Sequence, residues 1–186
     1  MVGIGHIWDD DQSGLTYGDW TDERDAENAF CDFCARTGAF EVHRQVAGEP
    51  LWKRFTQAHQ SVRADVLLMP SSRLLAAGWD CGAVVIEVKR SGEKIGHGCS
   101  QLIDYTNAAF FLPTGVAVVP AFGFLFPALK QHGRMASLMA HQRIGTAMIR
   151  YAKLELFCGE CRALTVDDGG EISVGATDFG RKLGSR

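Results

Sequence analysis

The first regular hydrophobic pattern along the chain is that of an amphipathic helix. Thr21 is a residue type that caps helix N-termini, and two acidic residues follow it in the first turn. Apolar residues then recur three and four positions apart, at Ala26, Ala29, Phe30, Phe33 and Cys34. We therefore predict a helix that begins at Thr21 and closes at Gly38, a residue type that commonly follows a helix.

The three segments after this helix have the pattern of strands. "FEVHRQV" (40–46) alternates between apolar and polar positions, and "VRADVLLM" (62–69) is an apolar run with one acid inside it. The third, "GAVVIEVKR" (82–90), is apolar until Glu87 and Lys89. The beginning of the chain, residues 1–20, is rich in glycine and aspartate, and we expect an extended arm there.

The second half of the chain predicts helices and strands in alternation. The pattern of "GHGCSQLIDYTNAAFF" (96–111) predicts a helix that begins with glycine, and the pattern of Gly115–Val119 predicts a short strand. We expect a longer helix over Gly133–Leu156. A hairpin with Asp168-Gly169 as its turn follows within residues 162–174. The predicted order is α-β-β-β-α-β-α-β-β, in a single α/β domain over residues 21–186 with a basic tail at 180–186.

One apolar stretch, residues 110–129, is as long as a membrane-spanning helix. Three prolines interrupt it at every seventh residue, and two glycines add further breaks. We predict a buried strand followed by a packed apolar loop, and no membrane association.

Composition and charge fit a globular protein. The 186 residues are 46% hydrophobic and 22% charged, which excludes a disordered chain. The formal net charge of −3 argues against a protein that coats nucleic acid non-specifically, but it leaves room for a local basic groove. The first residues lack the pattern of a secretory signal, so we expect a cytoplasmic protein.

Candidate chemistry lies in the strand over residues 82–90. Side chains two apart on a strand point to the same side, so Glu87 and Lys89 emerge together while Val88 faces the other way. Asp65 lies inside the preceding strand, and two carboxylates in one cleft suit Mg²⁺, which takes oxygen ligands. A lysine within reach can orient a metal-bound water or stabilise an oxyanion. The alternative is an ordinary ion pair between Glu87 and Lys89 on a solvated face.

These residues resemble the PD-(D/E)XK nuclease superfamily, which has the restriction-endonuclease-like fold. The resemblance rests on "RAD" at 63–65, "VVIEVKR" at 84–90 and "QLIDY" at 101–105, and it covers about half of the chain. It implies an αβββαβ core with a mixed central sheet flanked by helices, here with a C-terminal helix and hairpin added. Ala64 departs from the pattern, because the family name has proline there.

The resemblance also implies roles for individual residues. Asp65 and Glu87 would bind Mg²⁺ or Mn²⁺ with the backbone carbonyl of Val88, and Lys89 would serve the nucleophilic water. An acid on the first helix often joins the metal site in this family. Glu27 fits that place, with Glu23 as the substitute one turn earlier. Gln101 matches a glutamine that reaches into the active site from the following helix, and Tyr105 lies one turn on.

The expected function is therefore a metal-dependent endonuclease that hydrolyses phosphodiester bonds in duplex or branched DNA, acting alone or as a homodimer. Basic residues that could contact phosphates are Arg63, Arg90, Lys94, Arg134, Arg143, Arg150, Arg181, Lys182 and Arg186. The alternative function is a non-catalytic DNA- or protein-binding module of the same fold.

The cysteines suggest a further alternative. "CDFC" and "CGEC" form two pairs with the spacing of zinc ligands, at Cys31, Cys34, Cys158 and Cys161. A shared zinc site would make the chain a zinc-stabilised interaction protein, although core packing explains the first pair equally well. Three other polar residues near the candidate site have both a functional and an ordinary explanation. These are Asp80, a common turn former that could replace Asp65, Asp104 beside Gln101, and His97 between two glycines.

Overall fold

A computed structural model of the chain describes residues 20, 22–51, 61–90, 95–128, 131 and 133–175. Within these residues the fold is α/β, with four helices and ten strands. The helices are α1 (Glu23–Thr37), α2 (Ser72–Ala76), α3 (Ile95–Thr106) and α4 (Gly133–His141). The strands are β1 (Phe40–Pro50), β2 (Val62–Pro70), β3 (Val84–Val88), β4 (Ala108–Phe111), β5 (Ala117–Val118), β6 (Phe122–Phe126), β7 (Ile144–Arg150), β8 (Lys153–Cys158), β9 (Cys161–Asp167) and β10 (Ile172–Val174).

The strands that are described form one open, mixed sheet in the order β10-β9-β8-β7-β6-β3-β2-β1-β4-β5. β3 pairs parallel to β6, and β6 pairs parallel to β7. The remaining neighbours are antiparallel. The central strand β3 is therefore paired on both sides and all five of its residues are buried.

Helices cover both faces of this sheet. On one face, which we call the α1-side core, Phe30 and Phe33 of α1 pack with Val84 and Ile86 of β3 and with strands β6 to β9. On the other face, the α3-side core, Leu102 and Tyr105 of α3 pack with Val85 of β3, Leu125 of β6 and residues of β1, β2 and β4. The two faces of β3 thus belong to two different cores.

The first helix forms as its sequence predicts, with its N-cap shifted by one residue. Asp22, not Thr21, is the N-cap, and its side chain accepts a hydrogen bond of 2.7 Å from the backbone N–H of Arg24. Gly38 closes the helix with φ of 64°, a left-handed conformation that suits glycine. The predicted strands at 40–46, 62–69 and 82–90 and the predicted hairpin at 162–174 are also present, with modest changes in their ends.

The predicted long helix over Gly133–Leu156 is wrong. Only α4 is helical there; a turn at Gln142 and Arg143 ends it, and β7 and most of β8 occupy the rest. The first six residues of β7 are buried, because β6 and β8 pair with its edges and its side chains pack in both the α1-side core and the α3-side core. A strand buried on both faces lacks the alternation that distinguishes a strand from a buried helix.

The same ambiguity affected the apolar stretch before α4. The predicted strand Gly115–Val119 reduces to β5, and the predicted packed loop contains β6, a fully buried strand that is central to the sheet. The helix predicted over 96–111 ends at Thr106, and residues 108–111 form β4 instead. None of the described helices is long and apolar enough to cross a bilayer.

Candidate functional site

The polar cluster lies where β3 ends. Glu87 is only 1% exposed, and its Oε1 accepts a hydrogen bond from Nζ of Lys89. The two side chains emerge on the same side of the strand, as their spacing predicts. Lys89 also extends the pairing of β3 with β6, because its backbone N–H donates to the carbonyl of Phe126 at 2.8 Å.

Asp65 reaches this cluster because the β2–β3 pairing stops beside it. The paired residues run from Leu68–Val84 to Val66–Ile86 and no further. Beyond them, Oδ2 of Asp65 accepts the backbone N–H of Val88 at 2.8 Å. A side-chain carboxylate thus replaces a backbone carbonyl, and the two strands part where Asp65 and Glu87 would be opposite each other.

The neighbouring strand β1 is distorted at the same level. Its register with β2 is continuous except at the position where Gln45 would face Asp65, and Gln45 has φ of 52°. The side chain of Ala64 packs in the α3-side core and that of Val66 in the α1-side core. Residues two apart in a regular strand would share a face, so β2 changes face at Asp65. Such irregularities are common next to active sites, where they redirect a side chain.

Burial and charge determine the protonation of the cluster. Burial, followed by the negative charge of Asp65, raises the pKa of Glu87 to about 7, although the hydrogen bond and positive charge of Lys89 oppose this. Burial lowers the pKa of Lys89, but its contacts with Glu87 and the charges of Glu23 and Asp65 outweigh burial and raise it. At neutral pH the cluster therefore holds a lysine cation beside the carboxyl group of Glu87, whose pKa is close to the pH of the solution.

The residues present fit a hard divalent cation. Oε2 of Glu87 is buried, and no described group donates a hydrogen bond to it, so a cation would supply the missing partner. Asp65 and Glu87 provide two carboxylates. No group of three or more histidine, cysteine, aspartate or glutamate side chains that could hold a metal occurs in the described ranges. An ion here would thus complete its shell with water and backbone carbonyls, as Mg²⁺ usually does.

Helix α3 adds two polar side chains to the cluster. The hydroxyl of Tyr105 lies near Glu87 and Gln101, and burial, followed by the negative charges of Glu87 and Asp65, raises the pKa of this tyrosine. Oε1 of Gln101 is buried with no partner among the described groups. Gln101 and Tyr105 are four residues apart, so they share one face of α3 and present both polar groups toward β3.

The structure does not place Glu27 in this cluster. Its Oε1 accepts a hydrogen bond from Nε of Arg44 at 2.7 Å, and its Oε2 accepts one from Nε2 of Gln45 at 3.0 Å. Glu23 lies closer to the cluster, with Oε1 3.7 Å from Nζ of Lys89. The substitute on α1 is therefore the acid that faces the site. Sequence reasoning missed Arg44 and Gln45, which lie within an unremarkable alternating strand.

The candidate phosphate-binding residues are scattered. Arg63 and Arg90 are exposed near the ends of β2 and β3, and Arg134 is exposed on α4. Lys94, Arg181, Lys182 and Arg186 lie outside the described residues.

Two of these arginines were predicted on the long helix and are not on it. Arg143 lies in the turn before β7, where its Nη2 donates to the carbonyl of Thr106 at 3.0 Å and so fastens the end of α3. Arg150 ends β7 and stacks on the ring of Tyr151, 4.6 Å from its centroid.

The four cysteines of the C-x-x-C pairs do not come together. Cys31 and Cys34 are buried on α1, Cys158 is buried at the end of β8 and Cys161 is exposed on β9. Burial raises the pKa of Cys31 to about 11 and that of Cys158 to about 12, which disfavours the thiolate that zinc requires. Within the described residues no group of three or more metal-ligating side chains, these cysteines included, comes together, and the zinc-stabilised interaction protein stays an alternative.

The remaining alternatives lie on the surface. Asp80, Asp104 and His97 are all exposed. Asp80 accepts a weak hydrogen bond from the neighbouring Cys81 thiol at 3.6 Å, and Asp65 rather than Asp80 reaches β3.

Comparisons with protein-family models, with curated protein sequences and with solved structures found no match to this chain.

Proposed function

We propose that this protein is a Mg²⁺- or Mn²⁺-dependent nuclease that hydrolyses phosphodiester bonds in DNA. The observation that carries the proposal is the convergence of Asp65, Glu87 and Lys89 at the point where β2 and β3 part. A buried carboxylate with an unpartnered oxygen, a second carboxylate and a lysine form the minimal set for metal-assisted hydrolysis of a phosphate ester.

The arrangement of elements supports the finer assignment to a restriction-endonuclease-like fold. Taken in chain order, α1, β1, β2, β3, α3 and β6 give the αβββαβ sequence that this fold requires. The sheet is mixed as expected, with β1 to β3 antiparallel and β6 parallel to β3. On this assignment α2 and the β4–β5 hairpin are additions to the core, and β7 to β10 extend the sheet.

Each residue of the cluster then has a distinct task. Asp65 and Glu87 would hold the ion, which when bound lowers the pKa of a water molecule and neutralises charge on the phosphate. Lys89 lies beside Glu87, where it can orient the attacking water and stabilise the negative charge that develops on the phosphate. Tyr105 and Gln101 lie on the face of α3 that is turned toward this cluster, where they can contact the bound water or the phosphate.

A cleavage assay with matched variants tests the proposal. Plasmid, linear, single-stranded and four-way-junction DNA are incubated with the protein and Mg²⁺, Mn²⁺ or EDTA. We expect cleavage of at least one substrate with metal and none with EDTA. Asp65→Asn, Glu87→Gln and Lys89→Gln should each reduce the rate by at least about 10²-fold, the usual effect of removing one group that stabilises the transition state.

Asp104→Asn is the control for these variants. It removes a carboxylate from the exposed face of α3, close to Gln101 in sequence, and should cleave like the wild type. Cleavage that persists in EDTA, or wild type and variants that leave every substrate equally intact, would contradict the nuclease proposal.

A second candidate is a non-catalytic DNA-binding module of the same fold. The ion pair between Glu87 and Lys89 favours it, because such a pair also neutralises a buried carboxylate without any metal. Under this alternative the wild type binds DNA and does not cut it, and Mn²⁺ leaves its melting temperature unchanged.

A further inference from the structure

A polar cavity of about 460 Å³ lies between α1 and β1, and the residues proposed above for catalysis do not line it. The described residues that line it are Arg24, Glu27, Asn28, Arg44 and Gln45. These described residues carry two guanidinium groups and one carboxylate, which gives them a formal charge of +1. A polar cavity with a net positive charge suits an anionic ligand.

Glu27 acts in this cavity as a support for Arg44. Glu27 is 8% exposed, and its Oε1 accepts a hydrogen bond from Nε of Arg44 at 2.7 Å. Nη2 of the same guanidinium donates to Oδ1 of Asn28 at 2.7 Å. Two of the three guanidinium nitrogens are thus held by the protein, while 43% of the side chain remains exposed to solvent. The guanidinium is oriented in advance, which lowers the entropy cost of binding an anion.

The backbone of β1 is distorted to complete this arrangement. Consecutive residues of a regular strand point to opposite faces, yet Arg44 and Gln45 both hydrogen-bond to Glu27. The left-handed conformation of Gln45, with φ of 52°, makes this possible. For a residue other than glycine such a conformation is energetically unfavourable, and residues of this kind cluster at functional sites.

The cavity adjoins the proposed catalytic cluster on two sides. Glu23, which faces Lys89, lies four residues before Glu27 on α1, a distance of about 6 Å along the helix axis. Gln45 occupies the position of β1 at which the pairing with β2 is interrupted, at the level of Asp65. A strand bound at Asp65 and Glu87 would therefore pass beside the cavity with a neighbouring phosphate.

We propose that this cavity is a phosphate-binding subsite for the backbone of the substrate strand, next to the phosphodiester bond that is cut. The inference rests on the nuclease function proposed above. Arg44 and Arg24 contact the phosphate, since a guanidinium fork matches two phosphate oxygens. Glu27 is a positioning residue that holds Arg44.

The test is DNA binding in EDTA, where the strand stays intact, measured by fluorescence anisotropy over a range of salt concentrations. Arg44→Gln and Arg24→Gln should each weaken binding about tenfold and lower the slope of log K against log salt by about one, because each removes one phosphate contact. Arg44→Lys should keep the slope and lose part of the affinity, because a lysine keeps the charge without the fork.

Arg162→Gln is the matched control. Arg162 lies on β9 and pairs with a partly buried acid, Glu155, at 3.0 Å, as Arg44 pairs with Glu27, but it is not part of the cavity lining. Its removal should leave affinity and slope unchanged. If Arg44→Gln and Arg24→Gln bind like Arg162→Gln, the phosphate subsite does not exist. Arg24 is exposed, so Arg24→Gln still measures the contribution of the cavity to DNA binding if Arg44→Gln unfolds.

Duplexes with a 5′-phosphate and with a 5′-hydroxyl distinguish the source of the phosphate. We expect the same loss of affinity on both, since the ligand is a backbone phosphate. A loss confined to the 5′-phosphorylated duplex would overturn the backbone assignment. If the wild type cuts no DNA but its DNA binding depends on Arg44, the nuclease proposal is contradicted and the phosphate subsite is supported. Failure of the nuclease proposal can therefore be distinguished from failure of the subsite.

Discussion

At the scale of single residues, the central feature is a carboxyl group buried within a sheet. Glu87 is surrounded by a second acid, a lysine and a tyrosine, and one of its oxygens lacks a partner among the described groups. A buried carboxylate costs free energy unless a cation compensates it. Lys89 compensates in part, and a divalent ion would do so more completely.

The pH dependence of stability follows from the raised pKa of Glu87. The folded protein holds this proton more tightly than the unfolded chain, because the pKa rises from 4.5 to about 7 on folding. The resulting stability, roughly 3 kcal/mol, is present in full below pH 4.5 and is lost as pH rises through about 7. In EDTA we therefore expect the melting temperature to fall between pH 5 and pH 8, and Glu87→Gln to remove most of this fall.

Metal binding should show the opposite trend, because the ion requires the deprotonated carboxylate. The increase in melting temperature produced by Mn²⁺ should be larger at pH 8 than at pH 6. Asp104→Asn should reproduce both wild-type profiles. If the melting temperature in EDTA falls equally with pH in the wild type and in Glu87→Gln, groups other than Glu87 cause the pH dependence.

At the scale of elements, the site depends on how closely α3 approaches β6. Gly123 of β6 has no side chain, and Leu102 of α3 fills the space above it. A Cβ at Gly123 would lie 2.9 Å from Cδ2 of Leu102 and 3.2 Å from its Cβ. Leu102 is next to Gln101 in sequence, so this contact determines how close the polar face of α3 lies to the sheet.

Gly123→Ala should therefore push α3 away from the sheet. We expect a loss of about 1–3 kcal/mol in the free energy of unfolding, measured by urea denaturation, and a lower rate of DNA cleavage. The matched control is Gly96→Ala in the same helix, where an added Cβ meets nothing within 4 Å. That variant should be neutral or more stable by up to about 1 kcal/mol. Equal stability of the two variants would mean that the α3–β6 contact accommodates the added methyl group without loss of stability.

At the scale of the whole molecule, one sheet connects the candidate site with the C-terminal strands. The α1-side core runs without interruption from β2 through β3 and β6 to β9. Phe30 of α1 is fully buried near its centre, with its ring centroid 4.8 Å from that of Phe126. Because the core is shared, we expect the described fold to unfold as one cooperative unit.

Phe30→Ala tests this expectation. It should lower the free energy of unfolding by about 3–5 kcal/mol, the usual cost of deleting a buried phenyl ring, and calorimetry should still show one transition. Phe111→Ala is the control, because Phe111 is 48% exposed and its removal should cost little. Two separate transitions in Phe30→Ala would show that the C-terminal strands fold independently.

Local periodicity was sufficient to predict several features of this protein from its amino-acid sequence. Helical spacing and the glycine at position 38 defined α1, and the spacing of two between Glu87 and Lys89 placed both on one side of β3. The position of Gln101 on a helix also followed from local pattern. Backbone geometry alone sets these relations, so no distant contact was needed to infer them.

Features that depend on residues distant in the chain could not be inferred before the fold was known. Strands β6 and β7 are buried on both faces, and their apolar runs do not distinguish a strand from a loop or a helix until β3 and β8 pair with them. The partner of Glu27 was likewise hidden, because the left-handed turn at Gln45 that brings Arg44 and Gln45 to it has no signature in the sequence. Asp65 reaches Val88 only because β2 and β3 part, a consequence of sheet distortion that local propensity does not encode.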